Sequence, residues 1–197
     1  MRKIYLLIVL VFQIGFSQIE KNSNVQFKAN FGLELKSNYF FGDNYLSKGH
    51  KNPTIGFGFH WNFLEYKKFN LGVSFEKSVL RVTDYSIGGN IDKSNITVYN
   101  SNLSYQIPIN AKLALEPNIF YGQLYVKQKN GTKNYGVQNG NDLGFGICLN
   151  YKLNKSIQVY SNLAFSHYFL TANTTPEFEN YFGSSNCLSL SLGIKLF

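Results

Sequence analysis

Apolar and polar residues alternate one by one along most of the chain. Side chains of an extended strand point to opposite faces in turn, so a period of two predicts strands that each have one apolar face. No stretch after residue 25 keeps a helical period, which predicts an all-β chain of eight strands. The predicted strands cover residues 27–36, 54–64, 69–76, 99–107, 113–125, 143–151, 157–166 and 187–197.

The connections between these strands alternate in length without exception. Long connections near 42–52, 83–94, 128–141 and 171–185 are separated by short ones at 65–68, 108–111 and 152–155. Tight turns at one end, long loops at the other and an even strand count are typical of membrane barrels. The sequence therefore predicts an eight-stranded antiparallel up-and-down transmembrane β-barrel with both chain ends on the short-turn side.

Two positions fit this pattern less simply. Pro117 lies inside the fifth predicted strand, where it removes a ladder donor, and we expect a local bulge there. Ser101 falls on the apolar face of the fourth strand, whose register the pattern fixes least well.

The polar face of the strands consists mostly of glycine, serine and asparagine. A soluble, exported carrier of the lipocalin type would turn its apolar face inward and would need a wet outer face. The few charges suit a narrow interior better, since an eight-stranded barrel is just wide enough for side chains to fill it and opposite charges can pair there. The predicted polar lumen network consists of Glu34, His60, Glu76, Glu116, Lys28, Lys36 and Lys195.

The start of the chain and the composition agree with export to a membrane. Met1–Lys3 is basic, an apolar run follows, and small residues precede a cleavage site after Ser17, which predicts a cleaved signal peptide over residues 1–17 and a barrel domain over 26–197. Charged residues make up only 15% of the chain and aromatic residues 17%. The formal net charge of +8 raises nucleic acid as a partner, but an exported chain without a basic helix or finger motif argues against it.

These features together resemble the small outer-membrane β-barrel family of Gram-negative bacteria, the group that includes OmpX and the OmpA transmembrane domain. The resemblance implies a monomer in the outer membrane, inserted by the barrel-assembly machinery. In that family a terminal aromatic residue belongs to the assembly signal, which here corresponds to Leu190, Leu192, Ile194 and Phe197. One departure is that strict alternation places Leu196, and not Phe197, on the apolar wall.

Barrels of this size include lipid-modifying enzymes, so the three histidines require attention. The lipid A deacylase family pairs a histidine with a serine two positions later, whereas Tyr168 and Phe169 follow His167 here. Ser166 points to the face opposite His167 and is not available as a nucleophile. We therefore expect no enzyme, no catalytic residue, no cofactor and no metal site.

Cations gather where the third and fifth strands approach the long loops. Lys77, Arg81 and Lys127 could contact lipopolysaccharide phosphates, or they could simply extend along the membrane interface. The sequence thus predicts a non-enzymatic outer-membrane barrel that serves envelope integrity or surface interaction through four outer loops. The alternatives are a barrel-embedded lipid-modifying enzyme and a soluble exported lipocalin-like carrier.

Overall fold

The computed structural model describes residues 25–197, and the predicted signal peptide lies outside these residues and stays a prediction. Most of this part of the chain is β-strand. The strands are β1 (Val25–Phe41), β2 (Thr54–Tyr66), β3 (Phe69–Arg81), β4 (Lys93–Tyr105), β5 (Ile107–Pro108), β6 (Leu113–Asn130), β7 (Lys133–Lys152), β8 (Ile157–Leu170) and β9 (Ser184–Leu196).

Every neighbouring pair of strands is antiparallel, and β1 pairs with β9 while β4 pairs with β6, so the sheet closes on itself. Because β5 is a two-residue continuation of β4, the barrel has eight staves, and the predicted fold is confirmed. When paired residues are followed from strand to strand around the barrel, starting at Lys36, one direction leads to Val126 of β6 and the other to Glu116 of β6. These two residues are ten positions apart on the same strand, which is the shift in register between strands around the closed barrel.

The apolar face of the strands points outward. Leu35, Ile55 and Leu192 are 69%, 75% and 64% exposed, whereas Lys36 and Ser191 in the interior are 6% and 1% exposed. This is the reverse of a lipocalin-like carrier, and the outer wall suits contact with hydrocarbon.

Helical structure is confined to the connections at the long-loop end. The helical turns are α1 (Tyr45–Lys48), α2 (Tyr85–Gly88), a 3₁₀ turn (Pro176–Phe178) and α3 (Glu179–Gly183). Within residues 25–197, none of these helices has the length and hydropathy to cross a membrane.

The prediction of a bulge at Pro117 is wrong. Pro117 pairs with Ile147 of β7 in an unshifted register, and the irregularities in the ladders lie elsewhere. The proline instead interrupts the ladder toward β4, which stops at Ser104 and resumes in the same register at Ile107. The missing N–H therefore divides one barrel stave into β4 and β5 without displacing either neighbour.

The prediction of a third long loop near 128–141 is also wrong. β6 and β7 continue past the other strands and join through a tight turn in which Asn130 pairs with Lys133 and Gly131 has a φ of 57°. Gly131 occupies the first central position of the two-residue loop, where hairpin turns of type II′ use glycine because it accepts the left-handed conformation at no steric cost.

The turn between β2 and β3 uses two lysines where glycine or asparagine is usual. Lys67 and Lys68 have φ values of 47° and 79°. A left-handed conformation costs a residue with a β-carbon roughly 1–2 kcal/mol, so we expect Lys68→Gly to raise the free energy of unfolding by about 1 kcal/mol. Urea titration of the refolded barrel measures this. Gly131→Lys is the matched control and should lower stability; equal stability of all three proteins would contradict the prediction.

Candidate functional sites of the lumen and the outer rim

Two ion pairs cross the interior of the barrel. Lys36 Nζ lies 2.6 Å from Glu76 Oε1, and Lys195 Nζ lies 2.7 Å from Glu116 Oε2. Glu116 also accepts hydrogen bonds from Ser104 Oγ at 2.5 Å and from Asn150 Nδ2 at 2.8 Å. These partners offset the cost of burying four charges.

Glu34 and His60 meet at Tyr160 of β8. The Tyr160 hydroxyl donates to Glu34 Oε2 at 3.0 Å and lies 3.3 Å from His60 Nδ1. The His60 ring fills the space beside Gly32, where a β-carbon would lie 1.9 Å from His60 Cε1. Glycine on the neighbouring strand is therefore what lets the imidazole point inward. The side chain of Lys28 lies outside the described part of the chain.

The interior near the long loops contains a cluster of buried apolar side chains, which the predicted polar lumen does not include. Leu80, Ile96, Leu124 and Val126 are 0–1% exposed and point inward near the long loops. The cluster, which we call the apolar plug, also contains Phe40, Val98, Tyr168, Leu170 and Cys187 together with Tyr45 and Leu46 of α1. Its strand residues alternate in phase with the polar lumen positions, and Phe40, Leu80, Ile96, Val126, Tyr168 and Leu170 lie in strand extensions beyond the predicted boundaries.

The β1–β2 loop is fixed over the apolar plug by buried polar contacts. Asn52 exchanges two hydrogen bonds with the backbone of Phe40, at 3.1 and 3.0 Å. His50 Nε2 lies 2.8 Å from Ser94 Oγ, and the His50 ring packs edge-on against Tyr45. Burial lowers the pKa of His50, which keeps the ring neutral at neutral pH and suited to an interior position.

The opposite end of the lumen contains a polar cavity of about 460 Å³. Amide side chains line much of it, with Lys195 and Glu116 at its inner end. The amides are Asn30, Asn62, Asn70, Gln106 and Gln158. The interior is thus accessible from the short-turn side and closed by the apolar plug at the other.

The cations predicted to contact lipopolysaccharide all lie on the outer wall. Lys77 and Arg81 are exposed on β3, and Lys127 is half-buried on β6. The register adds a feature that the sequence did not reveal: Arg81 pairs with Lys93 of β4, and Lys93 pairs with Lys129 of β6. Three cations therefore form one row across three neighbouring staves, which we call the basic row.

The residues of the predicted assembly signal are divided between two environments. Leu190, Leu192 and Ile194 are exposed on the outer wall of β9. Leu196 ends the ladder, and Phe197 lies beyond it, with its N–H donated to Ser156 O at 3.1 Å and its side chain at the rim of the polar cavity.

His167 lies on the outer wall near the long loops, and its partners come from the neighbouring strand. His167 Nδ1 lies 2.7 Å from Asn186 Oδ1, and His167 Nε2 lies 3.3 Å from Ser184 Oγ. The sequence around His167 on β8 does not reveal these contacts, because both partners lie on β9. Only the pairing of β8 with β9, which places Asn186 opposite His167 and Ser184 opposite Phe169, brings the three residues together.

Metal coordination finds no support in the described residues, which contain no cluster of three or more histidine, cysteine or acidic side chains that could hold an ion. Cys148 and Cys187 are free and buried.

Comparison with known proteins gives similarity at the level of structure. No protein-family model matches the chain, and no curated protein matches it. Neisserial surface protein A superimposes with a TM-score of 0.64 at 7% identity, covering 88% of this chain and 97% of that protein. Ail, the attachment invasion locus protein of Yersinia pestis, gives 0.55 at 11% identity, with coverage of 87% and 98%.

A second structure of Ail, in complex with the heparin analogue sucrose octasulfate, gives a TM-score of 0.51 at 11% identity and covers 85% of this chain and 96% of its own. Identities this low establish the fold and nothing finer. The chain has the fold of the small eight-stranded outer-membrane β-barrels, the OmpX and OmpA-like group that its sequence resembles.

Proposed function

We propose that this protein resides in the outer membrane after signal-peptide-dependent export and acts there at the outer surface. Its role is envelope integrity or surface interaction through the long loops and the wall beneath them. The observation that carries this proposal is the closure of the lumen by the apolar plug, which leaves the outer surface as the part of the barrel that can meet molecules from outside. This role requires no catalysis and no cofactor.

Assembly would depend on the last strand. Leu190, Leu192 and Ile194 present a continuous apolar wall, and Phe197 extends beyond the ladder where another protein can reach it. We propose that these residues are read by the barrel-assembly machinery during insertion.

The basic row supports contact with an anionic partner at the outer interface. Arg81, Lys93 and Lys129 are direct cross-strand neighbours, and Lys77 and Lys127 lie on the same staves nearer the membrane centre. Neighbouring like charges repel each other. Asp92 Oδ2 lies 3.8 Å from Lys93 Nζ and partly offsets this repulsion, and an anion over Arg81 and Lys129 would reduce it further. Phosphate groups bind such cations through charge-assisted hydrogen bonds, which points to lipopolysaccharide.

One structural neighbour supports binding of a polyanion to this type of barrel. Ail was crystallised with sucrose octasulfate, a heparin analogue. The likeness between the two chains is one of fold, so the proposal for the present protein depends on its own cations.

The triple variant Lys77→Gln, Arg81→Gln, Lys127→Gln tests the contact with lipopolysaccharide. We expect its affinity for lipopolysaccharide in detergent to fall by about tenfold or more, which is the effect of losing 1.4 kcal/mol of binding free energy. Co-purification from outer membranes and titration with labelled lipopolysaccharide both measure this.

The matched control removes three cations from the other end of the barrel, as Lys67→Gln, Lys68→Gln, Lys152→Gln. It makes the same change in net charge at exposed positions near the short turns. Equal losses in the two triple variants would show a general charge effect, and no loss in either would exclude a contact through Lys77, Arg81 and Lys127.

A further inference from the structure

We infer that Ser184, His167 and Asn186 form a catalytic site for hydrolysis of acyl esters of membrane lipids at the outer interface. The inference goes beyond the proposed function, which needs no catalysis. It rests on two contacts of His167, to Asn186 Oδ1 at 2.7 Å and to Ser184 Oγ at 3.3 Å.

The contact with Asn186 determines which nitrogen of His167 carries the proton. An amide oxygen can only accept a hydrogen bond, so Nδ1 must be the protonated nitrogen of the neutral ring. Nε2 then has a free lone pair directed at the Ser184 hydroxyl. This is the order of nucleophile, base and orienting group that activates serine in unrelated hydrolases. Asparagine takes the orienting position beside a cysteine nucleophile in the papain-like proteases.

A separation of 3.3 Å between Ser184 Oγ and His167 Nε2 is longer than a tight hydrogen bond. Contacts between a nucleophile and its base are often looser without substrate and shorten when the substrate binds. Ser184 is the first residue of β9 and follows Gly183, so no side chain on the preceding residue crowds the hydroxyl.

The surroundings of the three side chains suit a lipid ester. All three are half-buried on the outer wall close to the long loops, where the headgroup region of the outer leaflet meets the barrel. Phe169 packs edge-on against His167 at 4.4 Å between ring centroids.

Aromatic rings continue from this position toward the membrane centre. Phe41 contacts Phe165 at 6.2 Å between ring centroids, and Phe165 contacts Phe145 at 5.6 Å. This apolar surface lies along the path that an acyl chain would take below an ester held at Ser184.

The reaction balances with water as the only co-reactant. Ser184 Oγ bonds to the ester carbonyl carbon while its proton passes to His167 Nε2. The bond from that carbon to the alcohol oxygen then breaks, and the alcohol leaves as the deacylated lipid with the proton from His167. Water next attacks the acyl-Ser184 ester, gives a proton to His167 and releases the fatty acid, after which the proton returns to Ser184.

Two membrane lipids share this ester chemistry, glycerophospholipids and the acylated disaccharide of lipopolysaccharide. The full chain is refolded into micelles containing either phosphatidylethanolamine or purified lipid A, and mass spectrometry follows the free fatty acid and the deacylated lipid. We expect release from at least one of the two lipids. The lipid that is cleaved identifies the source of the ester.

The variants Ser184→Ala and His167→Gln should each lower the rate by about 100-fold or more, the usual contribution of a catalytic acid or base. Ser101→Ala is the matched control, because Ser101 is an exposed serine of the outer wall on β4 and should leave the rate unchanged. Heat-modifiable gel mobility verifies that each variant is folded.

A fluorophosphonate probe supplies a second readout that a purely structural hydrogen bond would not give. The probe should add to Ser184 in the wild-type protein and should fail to add in the His167→Gln variant. Asn186→Ala should lower kcat and shift its pH profile, with partial recovery in Asn186→Asp. Absence of fatty-acid release from both lipids, absence of the Ser184 adduct, or release that survives Ser184→Ala would each overturn the inference.

Discussion

Replacing Glu116 by glutamine should lower the free energy of unfolding by about 3–5 kcal/mol, the usual cost of leaving a buried charge without its partner. Lys195 is 6% exposed, and its ammonium group lies 2.7 Å from the Glu116 carboxylate. The amide of glutamine keeps the shape of the side chain but supplies no countercharge. Urea titration of the refolded barrel in micelles, followed by tryptophan fluorescence, measures the change.

The double variant Glu116→Gln, Lys195→Met separates charge from packing. It removes both charges and keeps most of the side-chain volume, so it should recover most of the stability that the single variant loses. If the double variant is as unstable as the single variant, the loss comes from side-chain packing and not from the unpaired charge of Lys195. If the single variant is as stable as the wild-type protein, the charge of Glu116 does not stabilise Lys195.

Leucine-to-alanine substitution should have opposite consequences on the two sides of the barrel wall. Leu124 is completely buried in the apolar plug, and Leu124→Ala should cost about 2–5 kcal/mol because it leaves a cavity among packed side chains. The same urea titration, performed in lipid vesicles, measures this loss.

Leu192→Ala is the matched control on the outer wall, where Leu192 is 64% exposed. Lipid tails are as apolar as leucine and can refill the space, so the loss there should be a small fraction of that at Leu124. A larger loss at Leu192 than at Leu124 would contradict both the direction of the apolar face and the existence of the plug.

The fold follows from the sequence because alternation is a local property. Leu190 and Leu192 must share a face in any extended strand, and the lengths of the connections then indicate which strands are neighbours. The same reasoning placed Glu76 and Glu116 among small polar residues. It could not pair them with particular lysines, because partners across a barrel depend on the stagger between strands.

The errors also have local causes. The polar composition of residues 128–141 predicts a long loop, although Gly131 suits the first central position of a two-residue hairpin turn. The inward residues Leu80, Ile96 and Val126 lie where β3, β4 and β6 extend beyond the segments that alternate most clearly.

The contacts of His167 show a different limit. A search for a serine on its own strand examines Ser166 and stops there. Ser184 and Asn186 reach His167 through the register of β8 against β9, and the polar connection between these strands does not determine that register. Sites assembled across strands therefore require the three-dimensional arrangement.

Because the apolar plug closes the outer mouth, the polar cavity formed by residues 25–197 opens toward the short turns. Solutes, protons and reagents could approach Lys195 and Glu116 only from the side where the chain ends lie. Ion pairs held in this way would respond to the contents of the compartment beneath the membrane and would be insensitive to the medium outside. The wall could then meet a changing environment on one face while the charges that stabilise it remain in a constant one.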